Sequence, residues 1–146
     1  MTEPSSPGLG RAVARLARVT ERALGDLGMS LPQYRVLSLL SDGSAAATAL
    51  ADHLAISRPN VTAIVDGLVE RGFVERRTDP SDRRRVHHSL TEGGRAALLA
   101  ADDAVDDRLG AIAGLLPATR GKQATTGLGL WTTALDAARE AKAAAR

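Results

Sequence analysis

Two short clusters in this 146-residue chain carry side chains able to read nucleic acid. The first is Ser57, Arg58, Asn60 and Thr62, at the start of a run with helical periodicity. Serine and helix N-terminal amides bind phosphate. Arginine pairs with guanine, and asparagine with adenine, in the major groove. The second cluster is Asp82, Arg83, Arg84 and Arg85, in the loop TDPSDRRR. Three consecutive guanidinium groups repel one another in isolation, but are favoured next to phosphates or in the negative potential of a narrow minor groove. Asp82 is close enough in sequence to orient one of them through a bidentate pair. Each cluster also has a plainer reading. Ser57 can be a simple helix cap beside a solvated arginine, and the hairpin a charged edge that resists pairing.

Other chemistry finds little support. The chain has no cysteine, which removes disulfides, thiolate catalysis and thiol redox sensing. His87 and His88 are neighbours on a strand candidate, so they point to opposite faces and do not share a metal ion; His53 lies elsewhere. Asp102, Asp103, Asp106 and Asp107 lack the glycine-turned loop of a calcium site and read as the solvated face of a helix. No Ser-His-Asp set or phosphate-binding glycine loop can be assembled, so neither an enzyme nor a cofactor is expected. Trp131, Tyr34 and Phe73 are the sole aromatic residues, too few for a single-strand stacking platform.

The elements that must hold the two clusters follow from periodicity. A first helix spans about Leu9 to Leu27, with Leu9, Val13, Leu16, Ala23 and Leu27 on one face and Gly28 as its stop. Ser30 caps a second helix that turns Tyr34, Leu37 and Leu40 inward and ends at Asp42-Gly43. Thr48 caps a short third helix. Ser57 caps a fourth, whose stripe of Val61, Ile64, Val65, Leu68 and Val69 has helical spacing, and Gly72 ends it. Residues 48–71 thus have the shape of a helix-turn-helix. Residues 73–76 and 86–90 are strand candidates around the arginine loop, with Asp79-Pro80 at the first two positions of a type I turn. Thr91 caps a long fifth helix, opened by Gly93-Gly94, with Leu98, Val105, Leu109, Ile112 and Leu116 inside. Beyond Pro117, a sixth carries Ala124, Leu128, Trp131, Leu135 and Ala138 at heptad-like steps; Trp131 reads as core.

Charge is distributed to suit this reading. The net charge is only +2, yet six arginines face three acids between Arg71 and Arg85. The first ten residues, MTEPSSPGLG, lack the features of a secretion signal and read as a short flexible arm. No apolar run approaches the roughly 18 residues needed to span a bilayer, so a cytoplasmic protein without membrane contact is expected. A fifth helix of about 24 residues would be about 36 Å long and would leave leucines in water unless a second chain covered them. A homodimer follows, and its two-fold symmetry would supply paired half-sites.

The succession LPQYRVLSLL, LADHLAISRPNVTAIVDGLVERGFVERRTDPSDRRRV and SLTEGG resembles the MarR family of bacterial regulators over residues 30–94. The D-x-R wing, here Asp82 and Arg84, is its most diagnostic short motif. The resemblance implies a mainly α fold with a small β-hairpin wing: an N-terminal arm and dimerisation helix (1–29), a winged helix-turn-helix DNA-binding domain (30–90) and C-terminal dimerisation helices (91–146). It implies an obligate homodimer on a pseudo-palindromic double-stranded operator, with recognition helices in successive major grooves and wing arginines in flanking minor grooves. It further implies a repressor released by a small amphipathic or anionic effector near the junction of the first, second and fifth helices, where Tyr34 and Arg35 offer a phenol and a cation. An effector-independent regulator, an activator, or a dimeric interaction module without operator binding would share these features. Ala63 stands where many relatives carry arginine, Gly67 where they often carry a long polar residue, and Ala49 where an acid is frequent. Ala55 occupies a turn where glycine is common, so the turn is expected to keep φ negative.

Overall fold

The computed structural model describes residues 8–145; residues 1–7 of the expected ten-residue arm lie outside them, while Leu9 and Gly10 already belong to the first helix. Among the described residues there are six helices and three strands, and the chain forms two compact units that divide after Val105. The first unit holds α1 (Leu9–Gly25), α2 (Leu31–Ser41), β1 (Ala45–Ala46), α3 (Ala47–Leu54), α4 (Arg58–Glu70), β2 (Val74–Thr78), β3 (Val86–Leu90) and the start of α5 (Glu92–Ala113). The second holds the end of α5 and all of α6 (Ala118–Ala144).

Capping fixes where the helices of the first unit begin. Ser30 makes a complete capping box on α2: its hydroxyl accepts from the Gln33 amide at 3.2 Å, and the Gln33 side chain accepts from the Ser30 amide at 3.0 Å. Ser57 Oγ accepts from the Asn60 amide at the start of α4. Thr91 Oγ accepts from the Gly94 amide at 2.9 Å while donating to the Gly72 carbonyl at 2.6 Å, so one hydroxyl starts α5 and ties it to the end of α4. Thr48, by contrast, caps nothing. The N-cap of α3 is Ala46, because residues 45 and 46 are drawn into a strand that no alternation in sequence announces.

That strand completes a three-stranded antiparallel sheet in the order β1-β3-β2, with Ala45 opposite His88 and Val74 opposite Leu90. The core beneath it gathers Leu24 from α1, Val36, Leu37 and Leu40 from α2, Leu50 and Leu54 from α3, Val61, Val65 and Leu68 from α4, and Leu98, Ala101 and Val105 from α5. Each large aliphatic side chain so buried contributes about 1.5–3 kcal/mol. The α4 stripe is therefore a firm anchor for whatever its outer face presents.

Several expectations shift. The inward face of α1 is Ala23 and Leu24, whereas Leu9, Val13 and Leu27 are exposed. Only the last turns of α1 meet the core, so an apolar stripe over its whole length does not show which residues this chain covers. Ala55 takes φ +54°, not the negative φ expected. It ends α3 as a left-handed cap, which lets the Ile56 amide reach the Ala51 carbonyl. Gly94 does more than open α5: a Cβ there would lie 1.9 Å from the Phe73 carbonyl oxygen, so the α5 start presses directly on the backbone leading into β2.

In the second unit α6 packs through Gly121, where a Cβ would meet the Ala113 carbonyl at 2.7 Å. Few other α6 residues are covered. Leu128, Trp131 and Leu135 are exposed, as are Ile112 and Leu116. Trp131, expected in the core, is 56% accessible, because nothing among the described residues covers its face of the helix.

Candidate nucleic-acid interface

The first turn of α4 presents Ser57, Arg58, Asn60 and Thr62 to solvent, while Val61 between them is fully buried. This division follows from helical geometry: Val61, Val65 and Leu68 hold the inner face, so their neighbours must face outward. Ser57 uses an oxygen lone pair for the cap and keeps its O–H. Thr62 donates its O–H to the Arg58 carbonyl at 3.0 Å, leaving a methyl and an acceptor on the surface. Farther along the same face, Ala63 offers only a methyl, and Asp66 is an acid. The groups able to read base edges are thus confined to the first turn.

The wing is built from its backbone. The Asp79 amide donates to the Arg85 carbonyl, and the Arg85 amide to the Asp82 carbonyl, both at 2.9 Å. The hydrogen-bonded turn therefore spans Asp82–Arg85 and not Asp79–Asp82 as expected. At Asp79 it is the side chain that turns the chain, accepting from the Ser81 amide and hydroxyl. These two bonds, with His87 and Arg85 nearby, hold the Asp79 carboxyl below its ordinary pKa.

Asp82 likewise does not grip a guanidinium in bidentate fashion. One of its oxygens accepts from the Arg84 amide at 3.0 Å, and the other lies 3.7 Å from Arg85 Nε. Its task is to shape the turn. Arg83, Arg84 and Arg85 are all exposed. Among the described residues, the side chains of Arg58, Asn60, Arg83 and Arg84 form no hydrogen bond or ion pair, so their donors are free for an external acceptor.

Two contacts that the sequence did not announce link these parts. Asp66 on α4 pairs with Arg76 on β2, tying the helix to a wing strand. His88 is buried at the centre of the sheet, its Nδ1 3.1 Å from the Ala45 carbonyl. Burial pushes its pKa down, against the opposing pull of that hydrogen bond. His87 points to the other side, 3.9 Å from Asp79. Spacing alone could have found neither the Asp66–Arg76 pair, which is ten residues apart, nor β1.

Tyr34 and Arg35 diverge. The Tyr34 hydroxyl donates to Asp102 Oδ1 on α5 at 2.5 Å. Arg35 reaches the Leu54 carbonyl at 3.3 Å and lines an open cavity of about 340 Å³ with Pro32, Leu54, Ile56, Asn60 and Ile64, among α2, α3 and α4 and not at the expected junction of the first, second and fifth helices; Tyr34 does not line it.

A short helix, a tight turn, an anchored helix with a polar first turn and an arginine-tipped hairpin together define a winged helix-turn-helix protein. Comparison with known proteins agrees. The model of the MarR family matches residues 27–85. The regulator FarR of Neisseria gonorrhoeae is 32% identical over 111 residues, covering 74% of this chain and 76% of FarR. The repressor YetL of Bacillus subtilis is 31% identical over 87 residues, which are 58% of this chain and 52% of YetL. Crystalline apo MarR of E. coli superposes with a TM-score of 0.74 at 26% identity, over 89% of this chain and 98% of that one. The chain belongs to the MarR family. It spans about half the length of the first curated relatives that it matches.

Proposed function

We propose that the protein is a transcriptional regulator that binds double-stranded DNA in a sequence-specific manner as a homodimer, acting as a repressor. The observation that carries this reading is the set of free donors on Arg58, Asn60, Arg83 and Arg84, raised on a rigid helix and a pinned wing. Asn60 and Arg58 read base edges in the major groove, with asparagine suited to adenine and arginine to guanine. The wing arginines lie in the flanking minor groove, where the backbone potential is most negative. Residues 30–90 form the DNA-binding part, and residues 1–29 and 91–146 supply the dimer. Regulator and repressor names among the relatives support the same reading. The test is a mobility shift with the duplex upstream of the protein's own gene and a scrambled duplex of equal length. Preferential retention of the upstream duplex is expected; equal retention of both would refute the reading.

The dimer rests on the exposed apolar residues of α5, α6 and the turn between them. Leu99, Leu115, Leu130, Trp131 and Leu135 are each more than half accessible in one chain. So many large apolar groups in water mark an interaction surface. Light scattering at micromolar concentration should return the mass of two chains, and the mass of one would contradict it.

Repression is relieved by a small amphipathic anion. The Arg35 cavity has a cation and apolar walls, and Asn60 lines it as well. An occupant there would disturb a base-reading residue directly, which gives release a physical route. A salicylate-like anion should weaken operator binding by the wild type and not by Arg35→Ala. No helix among the described residues is long and apolar enough to cross a membrane, and the site of action is the cytoplasm, where the DNA is.

A further inference from the structure

α1 and α4 both run into left-handed glycines, Gly28 at φ +65° and Gly72 at φ +76°. One side chain joins the two helix ends. Arg71 is the C-cap residue of α4, and its guanidinium donates to the Gly28 carbonyl at 2.8 Å and to the Leu27 carbonyl at 3.5 Å. Its cationic carbon also sits 4.7 Å from the centre of the Phe73 ring, at the entry to β2. The two carbonyls follow directly on the end of α1, where the helix dipole is negative and favours a cation. Among the described residues they accept no backbone hydrogen bond, so Arg71 satisfies both.

We propose that Arg71 is a positioning residue that fixes the orientation of the recognition helix, through its C-terminal end, relative to the end of α1. In the dimer it would thereby set the spacing of the two half-sites that the protein accepts. The inference rests on the function proposed above, in which α1 belongs to the dimerisation part and α4 reads DNA. Three engagements by one planar fork define an orientation that a single point charge cannot. Arg71 touches no base in this account. Its loss should leave the reading of a half-site intact and loosen the relation between two of them.

The test uses two measurements on the full chain. The absence of cysteine allows clean spin labelling, with Arg18→Cys on α1 and Ala63→Cys on α4, both exposed positions, and labelled chains diluted in unlabelled protein. Arg71→Met keeps an apolar stem over Phe73 and removes the fork. It should make the α1–α4 distance distribution about twice as broad, with Arg71→Lys in between. An unchanged distribution in Arg71→Met overturns the proposal whatever the DNA results show. The second measurement is affinity for operators whose half-sites are moved apart or together by one or two base pairs. Arg71→Met should lose about tenfold of the wild-type preference for the native spacing, the scale of one charge-assisted hydrogen bond. Its affinity for an isolated half-site should be unchanged. A broadened distribution with spacing preference intact would also overturn it. A broadened distribution in a protein whose wild type has no preferred duplex would uphold the latch and reject the proposed function instead.

Discussion

The Tyr34 phenol on α2 and the Asp102 carboxylate on α5 are 68 residues apart in sequence and share a hydrogen bond of 2.5 Å. It fastens the second helix of the winged domain to the long helix that leaves it. A bond to a carboxylate in a partly buried place is worth about 1.5–3 kcal/mol. Tyr34→Phe should lower the unfolding free energy by about that amount in urea, at fixed protein concentration. Asp102→Asn keeps an acceptor and should cost less. Equal losses for the two variants would mean that charge, not the bond, is what matters.

At Gly94 the constraint is steric. An added Cβ would fall 1.9 Å from the Phe73 carbonyl oxygen, and backbone cannot step aside as a flexible side chain does. Gly94→Ala should destabilise the fold by about 2–3 kcal/mol, as overpacking does. Gly93→Ala, whose Cβ would meet the Gly72 carbonyl at 3.4 Å, should cost clearly less. Comparable midpoints for the two alanine variants in chemical denaturation would count against the packing described.

Ala55 holds a left-handed backbone at φ +54°. An L-residue there is strained by about 1–2 kcal/mol, part of which glycine returns through its freer unfolded chain. Ala55→Gly should therefore stabilise the protein by about 0.5–1 kcal/mol, seen as a higher urea midpoint at unchanged slope. A lower midpoint would show that the cap is not strained.

Stability should also follow the buried imidazole of His88. Desolvation lowers its folded pKa below 6.5, so as the pH falls the unfolded chain takes up the proton first. The contribution of the neutral ring is complete above the unfolded value, is lost as the pH falls through about 6.5, and levels off once the folded pKa is passed. His88→Gln should flatten the decline in unfolding free energy between about pH 7 and 5. A wild-type curve flat over that range would exclude the effect.

The readable parts of this sequence were the ones governed by local rules. Ser30, Ser57 and Thr91 cap the helices that follow them, Gly28 and Gly72 stop those before, and the α4 stripe is buried at Val61, Val65 and Leu68. What escaped depends on partners distant in sequence. Two alanines form β1 only because His88 and His87 lie opposite them. Arg71 and Asp66 look like ordinary surface charges until the α1 terminus and Arg76 are folded against them. The arginine loop was visible as a wing, but its turn is centred on Asp82–Arg85, because the Asp79 side chain is taken up by Ser81. The apolar stripe of α6 was legible as a stripe, but Leu128, Trp131 and Leu135 on it stay exposed in this chain.

In the function proposed above, the start of α4 reads bases and the wing reads backbone potential. Asn60→Ala should cost about 1–3 kcal/mol on the preferred duplex and much less on a scrambled one. Arg84→Ala should weaken binding to both. It should also lower the slope of log affinity against log salt by about one unit per lost phosphate contact. The most direct measurement is the affinity of the wild type and these two variants for both duplexes across a salt series. Asn60→Ala is expected to narrow the gap between the duplexes, and Arg84→Ala to lower the slope with the gap kept. An Arg84→Ala protein with wild-type affinity and slope, or an Asn60→Ala protein that discriminates as the wild type does, would contradict that reading.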